Sequence, residues 1–266
     1  MVGDLAQIIA LASHGNAYLS NDSLAFTFYP ESSVFQGCKR VTLRTGLRDD
    51  PVEMANEVLD PLQWFGFLSS KGCKRLFLAR GIGRPSRIPD HVAVAFVGGG
   101  TQWFIGAQLR DRTLYWAGTS TFKGMCWEVE YEPIDQVEID PQSLDLDGLA
   151  LHRSFHKVLM ECESLASRNK YDNFARCFSR AISSLQSEDP IAGSFQKDLL
   201  PAKGYGLLAK QLITACNEAW VFGGMGSWND LYFESEADGH EYSRLSSALY
   251  STINNAIEWG TNSYES

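Results

Sequence analysis

Residues 220–230 place two tryptophans, three glycines, a hydroxyl, an amide and a carboxylate within eleven positions, between two segments of helical pattern. Trp220, Gly223, Gly224, Gly226, Ser227, Trp228, Asn229 and Asp230 can act in two ways. Glycine amides followed by a fresh helix N-terminus converge on a hollow that suits a carboxylate or phosphate. Alternatively, Gly223 and Gly224 end one helix in a left-handed cap, and Ser227-x-x-Asp230 opens the next by reciprocal capping. The capping chemistry favours the structural corner, with Gly223, Gly224, Gly226, Ser227, Trp228, Asn229 and Asp230 as the ligand-binding candidates if the corner is functional.

A second cluster follows a strand-like run. Arg80, Gly81, Gly83, Arg84 and Arg87 fall in Arg-Gly-Ile-Gly-Arg-Pro-Ser-Arg, and residues 71–90 hold six cations against one acid. Convergent guanidinium groups on a glycine loop suit a small anion. The loop matches neither a P-loop, which needs Gly-Lys-Ser/Thr, nor a dinucleotide fingerprint, since Pro85 stands where a helix should continue. A solvated basic loop is the simpler alternative.

His152, His156 and Glu163 share one side of a helical segment, an arrangement that can ligate zinc. The intervening residues lack the glutamate of a hydrolytic His-Glu-x-x-His, and the histidines flank the apolar stripe, where polar side chains are ordinary. Asp145 and Asp147 resemble a fragment of a calcium loop without its closing glutamate; Asp147 reads better as a helix cap. Ser227 is not in a nucleophile elbow, and His240 is near it in sequence only. No metal or cofactor is expected.

The elements that would position these groups follow from hydropathy periods. Leu5, Ile8, Ile9 and Ala12 predict a short amphipathic helix, and residues 23–29 and 39–45 two strands. Asp49-Asp50-Pro51 with Met54, Val58, Leu62 and Phe65 predicts a helix that Pro61 kinks or ends. Strands are expected at 75–79, 91–97, 102–109 and from 114 to 118. In a further, last strand, Met125, Trp127, Val129 and Tyr131 alternate with Cys126, Glu128, Glu130 and Glu132, the first set pointing to a buried face and the second, largely acidic, to water. Trp103, Trp116 and Trp127 could share one face, as core. Helices are expected at about 149–168, 171–186, 205–222 and 241–259. The fold class is therefore α+β. A mixed α/β region with an antiparallel meander spans 1–140 and a helical region spans 141–266, the latter able to pack on the sheet as one domain.

Charge narrows the function. Residues 1–133 carry 13 Lys+Arg against 13 Asp+Glu and residues 134–266 carry 10 against 19, so the net charge of -9 lies in the C-terminal half. Such a chain is a poor match for nucleic acid or an anionic membrane. Six singly spaced cysteines suit reduced thiols and a cytoplasmic setting. The residues near Ala10-Leu11-Ala12 fail as a signal peptide, because no cation precedes them. A non-catalytic binding protein, meeting a protein partner or a second copy of itself, is the favoured function. A small-molecule hydrolase or transferase with a pocket at the sheet/helix junction near residues 220–230 is the alternative. The first expects an exposed apolar or acidic patch; the second expects the 220–230 corner and the 80–87 loop to converge.

Overall fold

The computed structural model describes residues 3–21, 28–46, 57–82, 88–95, 100–134, 137–140 and 146–265. In chain order these form α1 (Gly3–Leu19), β1 (Cys38–Arg44), β2 (Val58–Leu59), α2 (Pro61–Ser70), β3 (Arg75–Arg80), α3 (Asp90–Ala93), β4 (Trp103–Gln108), β5 (Thr113–Lys123) and β6 (Cys126–Ile134). They continue with α4 (Gly148–Arg168), α5 (Asp172–Gln186), α6 (Leu207–Ala219) and α7 (Glu236–Asn262). Strands precede most of the helices, so the fold is α+β.

The sheet order is β2-β1-β6-β5-β4-β3. β3 to β6 form the expected antiparallel meander, while β1 joins β6 in parallel and makes the sheet mixed. Tight turns suffice for the meander; the parallel pair needs the long crossover that 45–125 provides. Trp116 of β5 is fully buried, edge-on to Trp64 of α2 at 5.2 Å, with its Nε1–H donating to Arg44 O at 2.8 Å.

α1 is longer and deeper than an amphipathic surface helix. Leu5 through Ala17 are all buried, as an apolar run with small residues on every side requires. Its polar residues find partners: Gln7 Nε2 donates to Val34 O at 3.2 Å and Ser13 Oγ to Leu199 O at 3.3 Å. Asn16 has a special task. Its Oδ1 accepts from Leu76 N at 2.7 Å and its Nδ2 donates to Leu76 O at 2.8 Å. Asn262 at the end of α7 repeats this pattern on Leu78, at 2.7 and 2.8 Å. Two amides thus act as a missing neighbour strand along the outer edge of β3, which would otherwise be open.

Two segments differ from expectation. Pro61 begins a helix instead of kinking one. Asp60 accepts from Gln63 N at 2.8 Å, Gln63 Oε1 accepts from Asp60 N at 3.0 Å, and Pro61 takes the first-turn position where a missing N–H costs nothing. Val58 lies in β2, and residues 47–56 lie outside the described residues. The 91–97 segment opens within the helical turn α3, with Pro89 in the N-cap position, Asp90 in the first turn and His91 buried. Most of the expected 23–29 strand lies outside the described residues.

The helical region closes on the sheet through one shared core, in which α1, Trp64 and Leu76 are continuous with Phe155, Phe178, Leu212, Ile253 and Ile257. Asp147 caps α4 as expected, accepting from Leu149 N at 2.9 Å and Ala150 N at 3.2 Å. No helix among the described residues is long and apolar enough to cross a membrane.

Candidate functional site

The 220–230 corner is built differently from its sequence reading. α6 ends at Ala219, before the glycines, and only Gly226 has the positive φ, +83°, of a left-handed residue. Ser227 does cap, accepting from Asn229 N at 3.3 Å, but over the single 3₁₀ turn Trp228–Asp230. α7 begins later, with Ser235 as its own cap. The Asp230 carboxylate accepts from Gly226 N at 2.5 Å, so the chain's own acid fills the hollow expected for an external anion. Neighbouring amides are also occupied: Ser227 N donates to Gly224 O at 3.1 Å and Trp228 N to Val221 O at 3.0 Å.

Trp228 is the anchor. Fully buried, it meets Phe174 and Phe178 of α5 edge-on, and its Nε1–H donates to Ser246 Oγ of α7 at 2.8 Å. Tyr242 OH donates to Trp228 O at 2.6 Å. Asn229 Nδ2 donates to His91 O, tying the corner to α3, and Asn229 Oδ1 is buried without a partner.

Arg80, expected in an exposed basic loop, is only 7% exposed. Its Nε donates to Glu258 Oε2 of α7 at 2.6 Å, and Asp140 Oδ2 lies 3.9 Å from Nη2. Nη2 is buried with no hydrogen-bond partner. Gly81 pairs with Ile139 in a bridge, while Gly83, Arg84 and Arg87 lie outside the described residues. A polar seam runs along α7 from this ion pair. Asn254 Nδ2 donates to Thr101 Oγ1 at 3.0 Å, Tyr250 OH accepts from Thr101 N at 3.0 Å, and Ser247 Oγ lies 3.2 Å from His91 Nδ1. Burial lowers the His91 pKa below its ordinary value, Asp90 opposing the shift. The corner thus meets this seam at His91 and Ser247, whereas Arg80 meets it at Glu258, about 16 Å further along the helix axis.

The histidines of α4 serve packing. His152 Nε2 lies 2.9 Å from Leu185 O and His156 Nε2 lies 3.0 Å from Gln186 Nε2, both at the end of α5. Among the described residues no group of three or more His, Cys, Asp or Glu is placed to hold a metal. Thiol nucleophiles fare no better: burial pushes the Cys162 thiol up to about 12, with Glu161 adding to it. His240 is exposed and faces Glu236 at 3.6 Å. An open hollow of about 220 Å³ lies over α6, lined by Ser194, Gln196, Leu199, Ile213, Thr214 and Asn217.

An exposed apolar cluster falls where the alternation of the last strand predicts Met125 and Trp127 on a buried face. β5 continues past Gly118 to Lys123, and the β5–β6 hairpin extends beyond the covered part of the sheet. Val129 and Tyr131 are buried as expected, but Trp127 is 46% exposed, Phe122 57% and Met125 93%. Phe122 stands directly opposite Trp127, ring centroids 5.1 Å apart. Gly118 makes the extension possible: a Cβ there would come 2.8 Å from the Tyr131 ring, which closes over it. Gly124, with φ +70°, supplies the positive angle for a two-residue loop. That Lys-Gly-Met-Cys turn, between runs rich in Thr and aromatic residues, is the signal by which sequence reading could have found the hairpin. On its other face the glutamates are paired. Glu130 forms an ion pair with Arg44, Nε to Oε1 2.6 Å, and Glu128 accepts from Lys123 Nζ at 2.8 Å, a bond that holds the Glu128 pKa below its ordinary value.

No protein-family model, curated protein or solved structure matches the chain.

Proposed function

We propose that this chain is a non-catalytic protein-binding protein whose contact surface is the β5–β6 hairpin tip. The observation that carries the reading is the half-exposed Phe122–Trp127 pair, continued by Met125 at the loop. Aromatic residues and methionine are the types enriched at protein interfaces, and lone aromatics that served only the fold would sit over the core. Rows of paired charge on the opposite face, Glu128 with Lys39, Arg40 and Lys123, keep that side well hydrated and leave the aromatic side as the contact. The net charge of -9 supports a protein rather than a nucleic acid as partner. The free cysteines support a reducing, cytoplasmic setting.

The test compares immobilised wild type with Phe122→Asp/Trp127→Asp in an extract of the source cells. Wild type is expected to retain discrete proteins that the double variant releases; equal retention by both would overturn the reading.

A second reading, a hydrolase or transferase taking a small anionic ligand, is favoured by one observation. Arg80 Nη2 and Asn254 Oδ1 are buried polar atoms without hydrogen-bond partners on the same seam. Calorimetric titration with inorganic phosphate and with a short dicarboxylate tests it, and the absence of heat with both would dismiss it.

A further inference from the structure

Two unpaired stretches along the sheet, the outer side of β3 and the part of β5 that runs past β4, are treated differently. Asn16 and Asn262 close the edge of β3. The extension of β5 is left open: β4 pairs with β5 only as far as Trp116, and among the described residues no strand pairs with 119–123 on that side. The loop of two residues, Gly124 and Met125, sets the bonding parity of the hairpin. Lys123 with Cys126, Thr121 with Glu128 and Thr119 with Glu130 are the pairs that exchange backbone hydrogen bonds. The backbone N–H and C=O groups of Ser120 and Phe122 therefore point outward, towards the open edge.

We propose that a second copy of this chain adds to this edge, antiparallel, about a two-fold axis through Thr121. The proposal rests on the reading of the hairpin as a protein-binding surface and names its partner. Three features of the segment fit a copy of itself. Ser120 of one copy stands opposite Phe122 of the other, and the reverse, so the outward groups satisfy one another in four hydrogen bonds without a change of register. On the aromatic face, Phe122 of each copy lies beside the other's Ser120 and diagonal to the other's Phe122, so the two Phe122–Trp127 pairs join in one apolar band across the axis. On the charged face, Lys123 of the second copy lies across Thr119, next to Glu130, while Thr119, Thr121 and Lys123 bring no acid of their own to the edge. The edge lacks the proline or bulge that usually blocks such pairing, and its single cation meets a carboxylate.

The test places cysteine at the axis. The two Thr121 positions form a non-hydrogen-bonded pair with Cα atoms about 4.5 Å apart, within disulfide range. The two Thr119 positions are four residues out of register, about 13 Å along the strand. Under mild oxidation Thr121→Cys is expected to yield a covalent dimer of twice the chain mass, whereas Thr119→Cys and wild type, with its six native cysteines, do not. Adding Ser120→Pro, which removes only an outward N–H, is expected to abolish the cross-link while the far-ultraviolet dichroism stays that of the wild type. A monomeric Thr121→Cys, or equal cross-linking of Thr119→Cys, would overturn the self-pairing. If hairpin-dependent retention of other proteins persists in that case, only the choice of partner fails; if it is lost as well, the binding reading fails with it.

Discussion

Phe122 and Trp127 face each other across the last turns of the β5–β6 hairpin with ring centroids 5.1 Å apart, and about half of each side chain meets water. A cross-strand aromatic pair in this position contributes at most about 1 kcal/mol to the fold. The same two rings, once covered by another surface, supply the kind of area that dominates binding. The pair is therefore better placed to serve association than stability.

Trp228, by contrast, serves the fold. Trp228→Ala is expected to destabilise the chain by about 3–5 kcal/mol, because it empties a fully buried site between α5 and α7. Trp228→Phe keeps most of the volume but loses the bond to Ser246, at about 1 kcal/mol. Urea unfolding of the two variants checks the order. Equal losses would show that the indole N–H, not packing, is what matters.

Arg80 and Glu258 form an ion pair with both side chains at least nine-tenths buried. Glu258→Leu leaves the guanidinium buried opposite Asp140 alone and is expected to cost about 3 kcal/mol or more. The double change Arg80→Met/Glu258→Leu is expected to recover most of that loss, since no buried charge remains. Chemical denaturation of both variants is the measurement, and a double variant weaker than the single one would mean the pair is itself strongly stabilising.

His91 gives the α3–α7 contact a pH dependence of definite sign. Its folded pKa is lowered by burial, so the unfolded chain binds the proton more readily. The contribution is complete above the unfolded value of about 6.5 and declines as the pH falls towards the lower folded value. Thermal midpoints at pH 7.5 and 5 should therefore differ more for wild type than for His91→Gln. The same difference in both proteins would exclude His91 as the titrating group.

Much of the architecture was legible in the sequence because it follows from local rules. The alternation of β6, the acidic cap Asp147 and the stripes of α4 to α7 depend on neighbours two to four residues away. Two kinds of feature were hidden. Asp60-Pro61 reads as a break if the preceding residues are taken as helix, and as a start only when Gln63 is recognised as the reciprocal cap. Trp127 has the correct parity for the core, but parity does not say where the covering layer ends, which is a long-range property. The candidate sites show the same limit. Glycine, serine and aspartate at 223–230 announce a turn with converging amides, yet that Asp230 fills it depends on the path of the whole loop. Arg80 gave no sign of its partner, since Glu258 lies 178 residues away.

The central claim, that the hairpin tip is a protein contact, is tested most directly by photo-crosslinking in the source cells. A benzophenone amino acid replaces Met125 at the tip in one variant and Met160, an exposed methionine of α4, in another. The account predicts discrete covalent adducts from position 125, a species of twice the chain mass among them, and loss of those adducts when Trp127→Asp is added. No adduct from position 125, or the same set from position 160, would contradict it.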